Sequence, residues 1–492
     1  MKILLIHPEY PDTFWSFKYA LKFISKKATY PPLGLLTVAS LLPQHWEKKL
    51  IDMTVASLND NDIKWADYVF IGAMSIQKQS ALRIINRCKK LKAKIVAGGP
   101  LFTSGYEDFK NVDHFILNEA EITLPDFLKD LEKDCLKQVY TSKKWADLTK
   151  TPIPFWKIAD MNQYASMCLQ FSRGCPFNCD FCDVTLLFGH RMRLKTGKQF
   201  IAELEDLYQK RWRAGIFIVD DNFIGNKKAL KEDLLPLMID WTKKRNFPFS
   251  FSTQVSVNLS DDEELMNLMA LAGFSSVFVG IETPSQESLL ECQKWQNVNR
   301  DLIACVKKMQ KFGLEVSGGF IMGFDSDTPL IFERLIEFIQ KSGIVSAMVG
   351  LLNAPRGTKL YQRLAKENRL LKESTGNNTD LSINFIPKMN YKTLISGYKK
   401  VLSTIYSPKY YYKRILTLME NFKPLETKRY QFHLVYLHAF FKSVWHLGIL
   451  GSERFYYWKL LFWSLIRNPR LFPMVIIYAI RGYHFREIFK DY

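Results

Sequence analysis

The sequence predicts an α/β protein with three parts: a doubly wound parallel sheet, a partial barrel of six strand-helix units and a mainly helical C-terminal region. Short apolar runs typical of strands alternate with helical patterns over the first 150 residues. The alternation resumes with a longer period between residues 167 and 352, and mostly helical patterns follow a polar stretch at 372–380. With 492 residues, 47% of them hydrophobic, the chain can bury more than one core.

The first 150 residues predict an open parallel sheet with helices on both faces. Strands are expected at 3–6, 50–53, 68–72, 94–97 and 114–117, and helices at 33–42, 79–92 and 121–133. Sheets of this kind bind ligands beyond the carboxyl ends of their strands. The loops Ser75-Ile76-Gln77 and Gly98-Gly99-Pro100 are expected at that edge.

A linker is predicted at 151–165, because the segment Thr151-Pro-Ile-Pro154 cannot continue a helix. The partial barrel then occupies 166–370. Its strands are expected at 167–171, 216–219, 249–252, 277–280, 315–320 and 347–352, and its helices at 200–213, 228–244, 261–271, 300–312 and 329–341. Six units are two fewer than a closed barrel of this type needs, and the loops after the strands are expected to carry the chemistry.

The region 371–492 is predicted to be helical, basic and aromatic. Residues 391–492 hold 17 Lys and Arg against 5 Asp and Glu, a net charge of +12 out of +19 for the chain. Apolar stretches at 432–450, 460–466 and 471–480 are interrupted by Lys442, Arg467 and Arg470. They predict either core helices that close the barrel mouth or an apolar face on a membrane surface. Nucleic acid is disfavoured as a partner, since the region shows no recognisable RNA-binding module.

Composition excludes several other classes of protein. Eight cysteines in so long a chain exclude a small secreted scaffold held by disulfides. The apolar opening at 3–6 is too short for the core of a signal peptide, and no window offers about 18 uncharged apolar residues. A cytoplasmic protein is therefore expected, with membrane association left open.

Three cysteines, Cys175, Cys179 and Cys182, form a cluster on the loop that follows the first predicted barrel strand. A structural zinc site needs a fourth ligand, and no second cysteine or histidine pair follows at the usual spacing. A cubane iron-sulfur cluster held by three cysteines has one iron without a protein ligand, where a cosubstrate can bind. Zinc remains the alternative interpretation.

The pattern Cys175-x3-Cys179-x2-Cys182, with Phe181 before the last cysteine, resembles the signature of the radical S-adenosylmethionine (SAM) superfamily, whose partial barrel is of the TIM type. The resemblance implies a [4Fe-4S] cluster whose open iron chelates SAM. One electron, from a donor such as flavodoxin or ferredoxin, then cleaves SAM to a 5′-deoxyadenosyl radical.

The same resemblance implies roles for five further residues at strand ends and in the cysteine loop. Glu282 is expected at the ribose hydroxyls and Phe181 near the adenine, while Asp220, Asp221 and Asn222 are expected at the methionine moiety. Each has an ordinary structural alternative: a salt bridge for Glu282, core packing for Phe181 and helix capping for 220–222.

The N-terminal sheet resembles the Rossmann-like cobalamin-binding domain of one branch of this superfamily. The segments that carry the likeness are Pro31-Pro32-Leu33-Gly34-Leu35, Gly98-Gly99-Pro100 and Asn118-Glu119-Ala120-Glu121. It implies that Ser75, Gly98, Gly99 and Pro100 contact cobalamin. The motif Asp-x-His-x-x-Gly, whose histidine ligates cobalt, is missing, and His7 is expected to make local hydrogen bonds. A domain that kept its fold and lost its cofactor is the alternative.

Together these features predict a cobalamin-dependent methyltransferase that acts on an unactivated carbon of a small-molecule or lipid substrate. The segments 31–35 and 406–412 also resemble the group that contains hopanoid C-2 methylases. The alternatives are a radical cyclase, coupling enzyme or oxidoreductase in which cobalamin is absent or does not methylate, and, ranked lower, an RNA-binding or RNA-modifying protein. Methylation at a saturated carbon needs no general base, so the sequence nominates no catalytic side chain.

Overall fold

A computed structural model describes residues 1–423, 434–490 and 492. The N-terminal strands are β1 (Lys2–His7), β2 (Glu47–Asp52), β3 (Tyr68–Gly72), β4 (Ile95–Gly98), β5 (His114–Ile116) and β6 (Val139–Tyr140). The helices are α1 (Lys18–Leu21), α2 (Leu33–Leu41), α3 (Asp60–Trp65), α4 (Lys78–Lys90), α5 (Pro100–Gly105) and α6 (Ala120–Glu132). The six strands form one parallel sheet in the order β2-β1-β3-β4-β5-β6.

The N-terminal sheet buries apolar side chains on both faces, as predicted for a doubly wound fold. Along β1, Leu4 and Ile6 join one core while Ile3 and Leu5 join another. The strand order reverses at β1, so the loops after β1 and β3 diverge there and leave a crevice beyond their carboxyl ends. The short strand β6 was not predicted, because two residues carry no periodicity.

The second sheet is the predicted partial barrel. Its strands are β7 (Ser166–Leu169), β10 (Gly215–Ile218), β11 (Ser250–Val255), β12 (Phe274–Glu282), β13 (Glu315–Met322) and β14 (Ala347–Leu351), and a hairpin of β8 (Ser172–Arg173) and β9 (Arg193–Leu194) follows β7. The order β14-β13-β12-β11-β10-β7 is parallel throughout and leaves β7 and β14 at the edges.

Helices follow the barrel strands in the order that the sequence predicts. They are α7 (Val184–Phe188), α8 (Gly197–Gln209), α9 (Lys227–Ala229), α10 (Leu235–Lys244), α11 (Glu263–Ala272), α12 (Gln286–Glu291), α13 (Leu302–Lys311), α14 (Ile331–Ser342) and α15 (Lys359–Lys366). The single helix predicted at 228–244 is wrong in one respect, since a π-helical turn at Leu230–Leu234 separates α9 from α10. The boundaries of the linker and of the three regions stay predictions.

The C-terminal region is helical: α16 (Tyr391–Tyr406), α17 (Pro408–Asn421), α18 (Leu434–Ser443), α19 (Arg454–Arg467) and α20 (Phe472–Ile488). Helix α16 covers the edge strand β14, where the Tyr398 and Tyr406 hydroxyls donate to the Val349 and Ala347 carbonyls at 3.0 and 2.6 Å. Positions 432 and 433 of the first apolar stretch lie outside the described residues.

Helix α20 packs against the loop after β1 and against the start of β13. The Phe485 ring stacks on Phe14 with 4.4 Å between ring centroids, and Arg481 Nη1 donates to Glu315 Oε1 at the start of β13 over 2.6 Å. Most of the apolar stretch at 471–480 is buried in the core, with Leu471 and Tyr478 fully buried. Among the helices in the described part of the chain, we find none whose length and apolarity would suffice for a bilayer crossing.

Candidate active site

The cysteine loop begins where β7 ends, and Asp220 fixes its entrance. The Asp220 carboxylate accepts hydrogen bonds from the Phe171 and Ser172 backbone N–H groups, both at 2.8 Å, and from the Ser172 hydroxyl. Burial raises the pKa of Asp220 to about 6, although these hydrogen bonds oppose the rise. Asp220 therefore supports the loop, and its expected contact with the methionine moiety of SAM stays a prediction.

The loop itself is held at several points. Gly174 has φ +99°, and a Cβ there would lie 2.8 Å from the Arg191 carbonyl oxygen, so the turn before Cys175 requires glycine. The Cys175 N–H donates to the Gly189 carbonyl at 3.2 Å, and the Asp180 N–H donates to the Cys292 carbonyl at 3.1 Å. A short segment with so many backbone anchors keeps its three thiols in defined positions.

Cys175, Cys179 and Cys182 are partly buried free thiols, and burial raises the pKa of each. In the described residues, no group of three or more His, Cys, Asp or Glu side chains is arranged to hold a single metal ion. The ligands of one ion converge on one atom, whereas three cysteines around a cubane bind three different irons and stand farther apart. Three thiols on one short loop match the three protein ligands of a cubane cluster, which leaves one iron open.

Lys294 lies between the cysteines and Glu282 at the end of β12. Its ammonium is 2.6 Å from Glu282 Oε1. Burial opposes its charge, but Glu282 and the nearby thiols of Cys179 and Cys182 outweigh burial and raise the pKa of Lys294. The salt bridge that the sequence allowed for Glu282 is thus present, and its expected contact with the ribose of SAM stays a prediction.

Three buried oxygen atoms near the cysteine loop or the end of β12 have no hydrogen-bond partner within the described part of the chain: Asp221 Oδ2, Gln296 Oε1 and Asn297 Oδ1. The amide nitrogen of Gln296 lies 3.8 Å from Cys179 Sγ, and that of Asn297 donates to the Gly280 and Ile281 carbonyls. Unpaired buried acceptors are costly unless a ligand donates to them. They fit a cosubstrate with an ammonium group and hydroxyls, as SAM has.

A cavity of about 1020 Å³ lies between the N-terminal sheet and the barrel. Loops at the carboxyl ends of β1, β3, β4 and β5 line one side, and Arg173, Leu187 and Phe188, which flank the cysteines, line another. The predicted residues Gly98, Gly99 and Pro100 are part of the lining. The part of this cavity beyond the strand ends of the N-terminal sheet is a fitting place for a large planar cofactor such as a corrin.

The residues predicted for the N-terminal site also have contacts within the protein. A side chain larger than that of glycine would clash at Gly98 and Gly99, because an added Cβ would lie 2.7 Å from the Ile116 oxygen and 3.0 Å from the Ala73 oxygen, respectively. Ser75 is exposed and packs against the loop at Gly376. His7 Nε2 lies 3.0 Å from Gln77 Nε2, in keeping with the local role expected of it. The cofactor contacts of these residues stay predictions.

Comparisons with known proteins decide the family. A model of the radical SAM superfamily matches residues 169–339, and a domain of unknown function (DUF4070) matches 358–492. An uncharacterised methyltransferase of Synechocystis is 38% identical over all of this chain and 93% of its own length. The hopanoid C-2 methylase of Rhodopseudomonas palustris is 30% identical over 95% of this chain and 90% of its own. The chain belongs to the radical SAM superfamily.

Solved structures show the same fold at low sequence identity. The radical SAM enzyme OxsB, solved with aqua-cobalamin and SAM bound, has a TM-score of 0.66 at 16% identity and covers 100% of this chain and 84% of its own. The methyltransferase TsrM of Kitasatospora setae, solved with cobalamin and a [4Fe-4S] cluster, has a TM-score of 0.65 at 14% identity and covers 99% and 98%.

In this radical SAM enzyme two arginines tie the cysteine loop to the N-terminal sheet. Arg173 Nη1 and Arg193 Nη1 both lie 2.8 Å from Glu119 Oε1, and Arg173 Nη2 lies 2.7 Å from Glu121 Oε1. All four side chains are at most 14% exposed. In the sequence, Glu119 and Glu121 belong to a segment that resembles cobalamin-binding domains. No local pattern predicts that they pair with Arg173 and Arg193, which are more than 50 positions away.

Phe181 and Asn222, the two other residues predicted to contact SAM, also have partners within the protein. The ring of Phe181 packs edge-on against Phe324, with 6.4 Å between ring centroids. Asn222 Oδ1 accepts hydrogen bonds from the N–H and hydroxyl of Ser256, at 3.2 and 3.3 Å. Neither contact excludes SAM, and both assignments stay predictions.

The sequence did not predict three residues of this site, because the segment after β12 carries no motif. They are Lys294, Gln296 and Asn297.

Proposed function

We propose that this radical SAM enzyme is a cobalamin-dependent methyltransferase that methylates an unactivated carbon of a small-molecule or lipid substrate. The observation that carries the proposal is the cavity, which the N-terminal loops share with residues on either side of the three cysteines. Relatives named as a methyltransferase and a methylase, aligned over at least 95% of the chain, support methyl transfer. The cofactors bound in the OxsB and TsrM structures support the cofactor set.

Different residues of the chain would hold the cluster, SAM and the corrin. Cys175, Cys179 and Cys182 would hold the cluster, Asp221 would accept from the SAM ammonium, and the loop at Gly98 and Gly99 would border the corrin. When bound, the cluster and SAM supply a radical that removes hydrogen, and cobalamin supplies the methyl group. We propose flavodoxin or ferredoxin as the class of electron donor, because each radical requires one electron.

The protein also has to position the reactants close to one another and exclude water from them. The buried ion pairs of Arg173 with Glu119 and Glu121 hold the cysteine loop against the N-terminal sheet. This fixes the distance between the two cofactor sites, on which a transfer between bound reactants depends. In the loop at 372–380, Asn378 lines the cavity, and Gly376 lies beside Ser75, which is outside the lining.

The test is anaerobic reconstitution with iron, sulfide and cobalamin, followed by assay of deoxyadenosine and of product mass. A gain of one methylene unit per turnover is the expected result. Loss of hydrogen without added mass would instead support a cyclase or coupling enzyme, and retention of no corrinoid by the purified protein would refute the cobalamin assignment. Steeply salt-dependent RNA binding would favour the RNA alternative.

We further propose that α18 and α19 contact a membrane surface. Large apolar side chains are exposed along these helices and the turn between them: Leu437, Phe441, Trp445, Ile449, Leu450, Phe455, Phe462, Leu465 and Ile466. Between 434 and 471 the sequence has five Lys and Arg, and its one acidic residue, Glu453, is buried against Arg486. An apolar surface with basic borders is suited to anionic lipid headgroups.

A further inference from the structure

Small side chains line part of the lower half of the barrel, where its strands begin. Five inward-facing positions hold Cys168, Ser252, Ser276, Ser317 and Ser346, and all five border the cavity. Strand pairing places Ser252 opposite Ser276 and Ser276 opposite Glu315, so these side chains lie in one layer. Barrels of this type are normally filled here by bulky branched side chains. In this chain the lumen stays open and extends the cavity toward the strand starts.

Aromatic rings form the walls of this lower chamber. The ring of Tyr30 stacks on Phe217 with 5.1 Å between centroids, and Trp15 meets Phe278 edge-on at 5.3 Å. All four border the cavity. Walls of this kind favour an apolar ligand, because they offer it a large contact area and few polar groups.

The floor of the chamber is polar and carries no net charge of its own. Arg481 of α20 and Glu315 of β13 both border the cavity and form an ion pair at 2.6 Å. Ser346, which is 2% exposed, also borders it, and its hydroxyl has no hydrogen-bond partner among the described residues. Hydroxyl groups both donate and accept, and so match this floor, whereas a carboxylate or ammonium would add an uncompensated buried charge.

We propose that the substrate is an elongated, mainly apolar molecule whose hydroxyl-bearing end rests on Arg481, Glu315 and Ser346. This inference rests on the proposed function and names its substrate class. The cysteine loop leaves the carboxyl end of β7, whereas the floor lies at the start of β13, so the substrate would extend from the floor toward the cysteines.

Equilibrium dialysis of the full chain tests this without any turnover. The probes are three single-chain molecules below their micelle concentrations: 1-O-dodecylglycerol, dodecanoic acid and dodecylamine. We expect saturable binding that prefers dodecylglycerol. The double variant Arg481→Met, Glu315→Met should weaken dodecylglycerol binding about tenfold and abolish the preference, since it removes the polar floor without stranding one charge. The matched control is Arg334→Met, at an exposed position of α14.

Two further variants keep the test decisive if the double variant unfolds. Ser346→Val should weaken dodecylglycerol alone, and Ser317→Leu, which fills the lumen, should weaken all three probes. Equal affinities in wild type and variants, no saturable binding, or a preference for the acid or the amine would overturn the proposal. Because dialysis needs neither cluster nor cobalamin, its failure leaves the methylation assay to judge the proposed function separately.

Discussion

Arg173 Nη1 lies 2.8 Å from Glu119 Oε1, and this ion pair joins the residue two positions before Cys175 to the loop after β5. Glu119 also accepts from Arg193 and from the Ala146 backbone N–H at 2.8 Å. One carboxylate thus contacts both strands of the hairpin that frames the cysteine loop, and it sets where that loop stands relative to the N-terminal sheet.

Glu119→Gln should lower the free energy of unfolding by about 3 kcal/mol, because it leaves two buried guanidinium groups short of a partner. Denaturant midpoints measure this. Glu337→Gln, which breaks an exposed pair with Lys341, is the control and should change stability by less than about 1 kcal/mol. Equal effects of the two substitutions would show that the buried cluster does not hold the two parts together.

Gly34→Leu should empty the N-terminal cofactor site while leaving the fold intact. Gly34 borders the cavity, and outside its own helix and chain neighbours no atom of the described residues lies within 4 Å of the position where its Cβ would be. The larger side chain should lower corrinoid retention on the order of tenfold or more, whereas Gly34→Ala should retain it. Absorption spectra after gel filtration give the ratio of corrinoid to protein. Full retention by the leucine variant would place cobalamin elsewhere.

Asp221→Asn should stabilise the protein at high pH. Burial, Asp220 and Asp183 raise the pKa of Asp221 from 3.8 to about 7, against an opposing effect of Arg173. Between these two values the folded protein binds more protons at Asp221 than the unfolded chain, so rising pH removes stability across that window. The variant should exceed wild type by about 2 to 4 kcal/mol at pH 8, and the difference should shrink toward pH 4.

Urea unfolding of wild type and Asp221→Asn across this pH range measures the difference in their free energies of unfolding. Groups that titrate in the same way in both proteins do not contribute to this difference. A constant difference between pH 4 and pH 8 would contradict the elevated pKa. The predicted direction would be contradicted if, between pH 5 and pH 7, the wild type gained stability relative to the variant as the pH rose.

Ile466→Glu should weaken binding to anionic vesicles. Ile466 is 79% exposed on α19, close to the basic residues Arg467 and Arg470. Wild type should sediment with vesicles of phosphatidylglycerol and phosphatidylcholine more than with phosphatidylcholine alone, and the variant should lose about tenfold in partitioning. Leu330→Glu, at a 58% exposed site before α14, is the matched control. Equal partitioning of all three proteins would refute the membrane surface.

The sequence predicted the two parallel sheets because most of their long strands contain a continuous or alternating apolar run; β2 begins with Glu47-Lys48-Lys49, and its start was not predicted. Strand β6 and the hairpin of β8 and β9 have two residues per strand, too few for any period to emerge. The cysteines were found because their ligand pattern is local.

Contacts that depend on the folded chain were not predictable in this way. Lys294 stands beside Cys179 and Cys182 although more than 100 residues separate it from them, and no motif marks it. The same holds for Arg481, which reaches Glu315 from the last helix. Asp220 was predicted by resemblance, and the structure adds a support of the loop backbone that a strand-end position alone does not specify.

The central claim is that Cys175, Cys179 and Cys182 hold an iron-sulfur cluster that activates SAM. Its most direct test is iron and sulfide content together with deoxyadenosine formation, measured for wild type, Cys179→Ala and the control Cys135→Ala, whose thiol is exposed elsewhere. Wild type and the control should bind about four irons per chain and form deoxyadenosine, while Cys179→Ala should form none. Deoxyadenosine formation by Cys179→Ala at the wild-type rate, or one zinc per chain without iron in wild type, would contradict the account.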